Sequence, residues 1–218
     1  GRVMGNRAII TTPERKLGVY LHWNGSRDFV EPFCAYCGLK RFRPPSADLG
    51  YGTARLVQVI ANFFGGGLSV GVVPYTTDAD MVSGLDNGVY VIDGWQITER
   101  VFPYVGYAES NVADMATALH AIDVRQPGSE RLGAFIDAPI VPTAALDQGF
   151  KVWVFDEQRV AGGRRRPGYV PATICSIGIG ELNGVDVDEA FIVDVYPGGE
   201  KDIRNYLFEG SYRLISRA

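Results

Sequence analysis

The sequence predicts an α+β chain in two parts: an antiparallel sheet with three helices over about residues 4–124, then a small β-barrel over about residues 131–218. Three observations predict it. Helical spacing of apolar residues recurs in three stretches, all before residue 124. Strand-like stretches among them are joined by tight turns, which link antiparallel neighbours. After the linker-like run Arg125-Gln-Pro-Gly-Ser-Glu130 no long helical pattern remains, and short strands follow at close spacing.

Asn6–Thr12 and Leu17–Trp23 read as a hairpin about the polar turn Pro13–Lys16. Asn24-Gly25 marks the next turn, and Ser26 or Asp28 is expected to cap a helix running to about Lys40. In it Phe29, Phe33 and Cys37 share one face, with Val30 and Cys34 beside them. Pro32 removes a backbone donor and should kink that helix or delay its regular start. Pro44-Pro45 makes Arg41–Asp48 a loop.

Tyr51–Val73 is the organising stretch, and Tyr51–Phe64 is its helix. Leu56, Val59, Ile60, Phe63 and Phe64, widened by Val57 and Ala61, describe a helix buried over most of its surface. Gly65-Gly66-Gly67 ends it, since glycine enters left-handed conformations cheaply. Leu68–Val73 then reads as a buried strand. Tyr75–Ser83 is polar and turn-like. Asp86-Asn87-Gly88 and Asp93-Gly94 punctuate the strands Val89–Ile92 and Trp95–Phe102, an antiparallel meander. Asn111–Asp123 is the third helix, striped by Val112, Met115, Ala116, Leu119 and Ile122.

In the second part Phe150–Asp156 alternates cleanly, and Thr173–Gly178, Ala190–Val195 and Tyr212–Ile215 read as further strands. This arrangement resembles SH3-like barrels, in which an inserted turn and a short helical turn precede the last strand. Asp202–Leu207 is the expected helical turn. Such a likeness concerns fold and carries no function by itself.

A hydrophobic fraction of 46% and a charged fraction of 21% over 218 residues exclude disorder for most of the chain. No run of eighteen apolar residues occurs, so no membrane span is expected. The first residues lack a secretory pattern, and Met4 reads as the natural start. Three cysteines are too few for a disulfide framework and point to a reducing cytoplasm. The net charge of −4 argues against a dedicated nucleic-acid binder. Its distribution is uneven: residues 1–55 hold nine Lys/Arg against four Asp/Glu, residues 56–124 one (Arg100) against eight. Unless folding cancels them, these segments offer a basic and an acidic face to partners.

The chemistry-bearing groups are few. Gly65–Gly67 follows a helix, whereas phosphate sites use the N–H groups at a helix start. Cys34-Ala-Tyr-Cys37 has the spacing of half a zinc site. A full site needs four ligands, and Cys175, His22 and His120 are isolated. Core packing is the better reading of Cys34 and Cys37. His22, Asp28 and Ser26 or Cys34 could be drawn as a hydrolase-type nucleophilic set, but a strand end, a turn and a capped helix account for the same residues. Asp186, Asp188 and Glu189 lack calcium-loop spacing and read as a solvated hairpin after Asn183-Gly184. The sharpest surface feature is Gly162-Gly163-Arg164-Arg165-Arg166-Pro167-Gly168, a loop able to clamp phosphates or an acidic protein surface. Lys40, Arg41 and Arg43 form a second basic cluster.

Met4-Gly-Asn-Arg-Ala-Ile-Ile-Thr11, Val19-Tyr-Leu-His-Trp-Asn-Gly25 and Val59-Ile-Ala-Asn-Phe-Phe-Gly-Gly66 resemble a group of bacterial proteins without assigned activity, some carried on prophages and other mobile elements. The resemblance spans mainly residues 4–75. It implies no catalytic residues and, through the mobile elements, a host-interaction or counter-defence role. The expected function is non-enzymatic binding or regulation through a protein partner, with no cofactor and no membrane. Nucleic-acid binding through Arg164, Arg165 and Arg166, with Lys40, Arg41 and Arg43, is the first alternative. An enzyme centred on His22 is the second.

Overall fold

The computed structural model describes residues 5–67, 69–196, 199–206 and 211–218, and for residues 190–206 the backbone alone. It is a mixed α+β structure with several sheets, one of them curled into half a barrel. The chain divides into two compact units, Gly1–Arg131 and Leu132–Ala218.

In the first unit β1 (Ala8–Thr11) and β2 (Leu17–Leu21) form the opening hairpin. Two long helices follow, α1 (Arg27–Leu39) and α2 (Leu49–Phe64). Then come β3 (Val70–Pro74), the short α3 (Asp78–Val82), β4 (Val89–Asp93), β5 (Gln96–Val101) and α4 (Met115–Asp123). The strand order is β3-β2-β1-β4-β5. The β1–β4 pair is parallel, with Ile9 opposite Val89 and Thr11 opposite Val91. The other pairs are antiparallel. The sheet is therefore mixed rather than antiparallel throughout. A parallel pair needs a long crossover, and the segment carrying α1 and α2 lies within it. Periodicity within one strand says nothing about the direction of its neighbour.

Both faces of β1 are buried, and Ala8, Ile9, Ile10 and Thr11 are each less than a twentieth exposed. One face sets Ile10, Leu17, Val19 and Ile92 against Pro45 and against Leu49, Thr53 and Leu56 of α2. The other sets Ile9 and Val89 against Tyr75, Met81, Val82 and Leu85. Residues 75–85 are thus the cover of the second face, not a free turn. Their apolar groups are spread among polar ones, which hides the cover in the sequence.

Helix α1 runs through Pro32, and Val30, Phe33, Cys34, Tyr36 and Cys37 are buried. Ser26 stands at its N-cap position without a side-chain capping bond, because its hydroxyl is turned onto Asp28. Asp48 does cap α2, accepting from the Tyr51 amide. Leu56, Val59 and Ile60 bury its inner stripe, each contributing about 1.5–3 kcal/mol. Gly52 brings α2 against the diproline loop: a Cβ there would lie 2.4 Å from the Pro44 carbonyl carbon. Gly65, at φ +68°, ends the helix as expected.

The second unit opens with 3₁₀ turns at Gly133–Asp137 and Thr143–Ala145. Its strands are β6 (Lys151–Asp156), the short β7 (Val160–Ala161) and β8 (Arg164–Arg165), β9 (Gly168–Leu182), β10 (Val185–Tyr196), β11 (Gly199–Tyr206) and β12 (Tyr212–Ser216). The main sheet has the order β11-β10-β9-β6-β12, and β7 pairs with β8 as a separate hairpin. Its core is Leu146, Val152, Val154, Val170, Ala172, Ile174 and Tyr212. Where the sequence predicted a helical turn over Asp202–Leu207, the backbone is strand β11 through Tyr206, and Leu207 lies outside the described residues. Four charges in Glu200–Arg204 disguise this strand. A strand bonded on one side only tolerates them.

Candidate functional site

Three places gather chemistry-bearing side chains. The first is the end of the first unit's sheet where β1 begins. Here Tyr107 Oη donates to Asn87 Oδ1 at 2.7 Å, Asn87 Nδ2 to Asn6 Oδ1, Asn6 Nδ2 to Ser26 Oγ at 3.4 Å, and Ser26 Oγ to Asp28. The relay ends on a carboxylate, and so each donor has a direction. Beside it the Arg100 guanidinium carbon lies over the Tyr90 ring, 3.5 Å from its centroid. It donates to the carbonyls of Val89 and Asn87 and pairs with Glu109 at 2.5 Å. Glu109 also holds Arg27, the first residue of α1, at 2.8 Å. Burial alone would raise the Glu109 carboxyl, but Arg100 and Arg27 outweigh it and hold it below its ordinary value.

This end includes His22, and the geometry separates it from the groups drawn with it. His22 is exposed. Its Nδ1 meets Tyr20 Oη at 2.9 Å, and its ring packs edge-on against Trp23. Among the described residues no hydrogen bond joins it to Ser26 or Asp28, which bond each other. Cys34 is buried within α1, and burial pushes its thiol up to about 12, so it is protonated at neutral pH. Cys37 is buried too, and desolvation likewise holds its thiol well above its ordinary value. Both are free thiols. Among the described residues no three His, Cys, Asp or Glu side chains gather as a metal-holding group. Nor is any helix there long and apolar enough to cross a membrane.

The second place is a ladder of cations and aromatic rings beside the start of α2. Arg43 and Arg55 lie 5.8 and 4.7 Å from the Tyr51 ring. Arg55 also reaches Phe42 at 5.5 Å, and Lys40 meets that ring at 5.8 Å. Phe42 is pinned by the Trp95 indole, which donates to its carbonyl at 2.7 Å. The basic cluster read from the sequence is thereby divided. Lys40 is buried and engaged by Glu130, so its ammonium is no surface group. Arg41 and Arg43 are exposed, with Arg43 paired to Asp48 at 3.0 Å.

The third place is the second unit's sheet beyond its core. The Arg164–Arg166 loop is a true hairpin, Val160 opposite Arg165 and Ala161 opposite Arg164. Arg164 and Arg165 are exposed, and Arg165 Nε donates to the Glu157 carbonyl. Arg166 is partly covered. At the far end of β9 the burial pattern changes. Residues 168–175 alternate between buried and half-buried, and none of residues 176–189 is buried. The register with β10 slips at this point: Ile174 faces Ile192 and Ser176 faces Phe191, leaving Cys175 as a bulge. Pairing with β10 nevertheless continues to Leu182 opposite Val185. Pairing with β6 ends at Thr173 and pairing with β11 at Glu189. Among the described residues the result is a two-stranded ribbon beyond the sheet. Ile179 is 78% exposed and Val185 62%.

The sequence named the arginine hairpin and the acidic turn. It did not single out Asn6, Asn87, Tyr107, Glu109, Tyr51 or Arg55. One signal was available, for Arg100 is the single cation among residues 56–124, and a lone cation on a strand asks for a partner. No family model, no curated protein and no solved structure matches this chain.

Proposed function

We propose that this chain is a non-enzymatic binding or regulatory protein that engages a protein partner through the ribbon of residues 176–189. The observation that carries this is the continuation of strand pairing for several residues beyond the point where burial stops. A two-stranded ribbon is marginal in water on its own. Its backbone edges, unpaired among the described residues, and exposed Ile177, Ile179 and Val185 are what strand-adding recognition uses. The likeness of residues 4–75 to mobile-element proteins suggests a host cell as the place to seek the partner. We also read the second unit as an SH3-like barrel. In its five-stranded sheet the first strand, β6, lies between the last, β12, and the next strand of that sheet, β9, which supports that reading.

The test is a photo-crosslinking residue at position 179 of the full chain, expressed in cells that carry the natural gene. The expected product is a discrete protein adduct that disappears when Ile177 and Val185 are changed to Ser. The same adduct from exposed position 14, or none at 179, would refute the proposal.

The ladder beside α2 favours a second reading, single-stranded nucleic-acid binding. Stacking on half-exposed Tyr51 with a phosphate on Arg43 beside that ring fits its geometry, and such binding weakens steeply with salt. Tyr51→Ala should lower affinity for an oligonucleotide about tenfold or more. Equal affinity of Tyr51→Ala and the natural protein would exclude that role.

A further inference from the structure

We infer that the ribbon's partner is a second copy of this chain, its tip seated on the arginine hairpin of the next molecule. The inference rests on the ribbon being a protein-binding element and names what it binds.

Charge complementarity is the first support. Directly opposed residues of an antiparallel pair share a face. One ribbon face therefore carries Ile177, then Ile179 with Asp188, then Glu181 with Asp186. Residues 176–189 hold four carboxylates and no Lys or Arg. Residues 157–167 hold four arginines and one glutamate. The hairpin pairs an exposed apolar side chain with a cation, Val160 at 64% exposure opposite Arg165. Apolar-plus-acidic thus meets apolar-plus-basic. The available groups also match. The side chains of Asp186, Asp188 and Arg164 make no ion pair or side-chain hydrogen bond among the described residues, and the Arg165 side chain donates only through its Nε.

Topology is the second support, because it sets the two patches at opposite ends of one strand. The hairpin lies between β6 and the start of β9, and the ribbon is the other end of β9. From Gly168 to Glu181 the strand runs roughly 40 Å at about 3.3 Å per residue. Opposite charges at opposite ends of one strand suit head-to-tail contact. Such contact uses two different surfaces, so it closes into a ring or runs on as a filament instead of stopping at a two-fold dimer. Arginine–carboxylate pairs at this contact would be salt-sensitive.

The full chain is examined by sedimentation and light scattering at low and high salt, with two charge-reversed variants. One is Asp186→Arg with Asp188→Arg; the other is Arg164→Asp with Arg165→Asp. The natural protein should form species larger than a dimer at low salt, with association about tenfold weaker at high salt. Each variant alone should be monomeric. Their reversed faces repel the natural ones but match each other, so a cross-mixture should regain association. A third variant, Ile179→Lys, should be monomeric and stop chains when mixed with natural protein. Circular dichroism confirms that each variant is folded. A natural protein that stays monomeric at its highest soluble concentration overturns the inference. So does assembly that both reversals leave unchanged, or folded reversed variants that fail to associate when mixed. If the natural protein is monomeric while position 179 still crosslinks a different protein, this inference fails and the proposed function stands.

Discussion

Replacing Glu109 by Gln isolates the ion-pair network that ties β5 to α1. An exposed ion pair is worth about 0.2–1 kcal/mol, and stripping one partner from a buried pair costs about 3–5 kcal/mol. Glu109 is 17% exposed and Arg100 7%, so the site lies toward the buried limit. Arg100 keeps its two carbonyl acceptors, and Gln retains a dipole, which together bring the expected loss to about 2–3 kcal/mol. The loss should depend on pH in one direction. The folded-state carboxyl is held below its ordinary value, so its contribution is present above the unfolded value of about 4.3 and lost as pH falls through the folded one. The assay is amide hydrogen exchange of Val89–Ile92 in the full chain, which reads the first unit separately from the second. At neutral pH the variant should exchange roughly 30- to 150-fold faster where exchange follows global opening. Near pH 3 the gap should narrow. A neutral-pH effect below about threefold, or the same gap at both pH values, would refute this account of the network.

Gly50 and Gly52 both lie in α2, yet Ala should act oppositely at the two: Gly50→Ala meets open space and should stabilise by about 0.5–1 kcal/mol. Gly52→Ala meets the diproline backbone and should cost about 1–3 kcal/mol, both read by denaturant midpoint. Thr12 Oγ1 is buried without a hydrogen-bond partner among the described residues, so Thr12→Val should gain about 1 kcal/mol in the same titration; a loss would show that the hydroxyl is bonded in solution. A thiol reagent applied to the native protein should modify Cys175 first, leaving Cys34 and Cys37 untouched until unfolding, as peptide mass mapping will show.

Much of the secondary structure was legible because it follows local pattern. The stripe of Leu56, Val59 and Ile60, the triple glycine after Phe64 and the glycine turn after β4 each act within a few residues, although that turn is Gly94-Trp95 between the paired Asp93 and Gln96, one residue later than the sequence reading placed it. Pairing was not legible. Nothing near Ile9 or Val89 announces that they meet in parallel. The helical turn expected at Asp202 failed for a related reason, since an edge strand needs no apolar alternation. At the sites, clustered charge such as Arg164–Arg166 could be read directly. The relay from Tyr107 to Asp28 could not, because its members are scattered from Asn6 to Tyr107 and meet only through the fold. Lys40 shows the converse. It looked like one more cation in a basic run, but its helix turns it inward to Glu130.

The parallel pairing of β1 with β4 bears on how the chain comes off the ribosome. Ile9 and its partner Val89 are 80 residues apart. At about 5–20 residues per second, roughly 4–16 s separate their emergence. Through that interval β1 can bond β2 on one side while its other edge, rich in isoleucine, has no strand to meet. Such an edge invites pairing with neighbouring nascent chains. Slow codons or a shortage of chaperone during this interval would therefore lower the yield of folded protein more than the same disturbance after β4 has emerged.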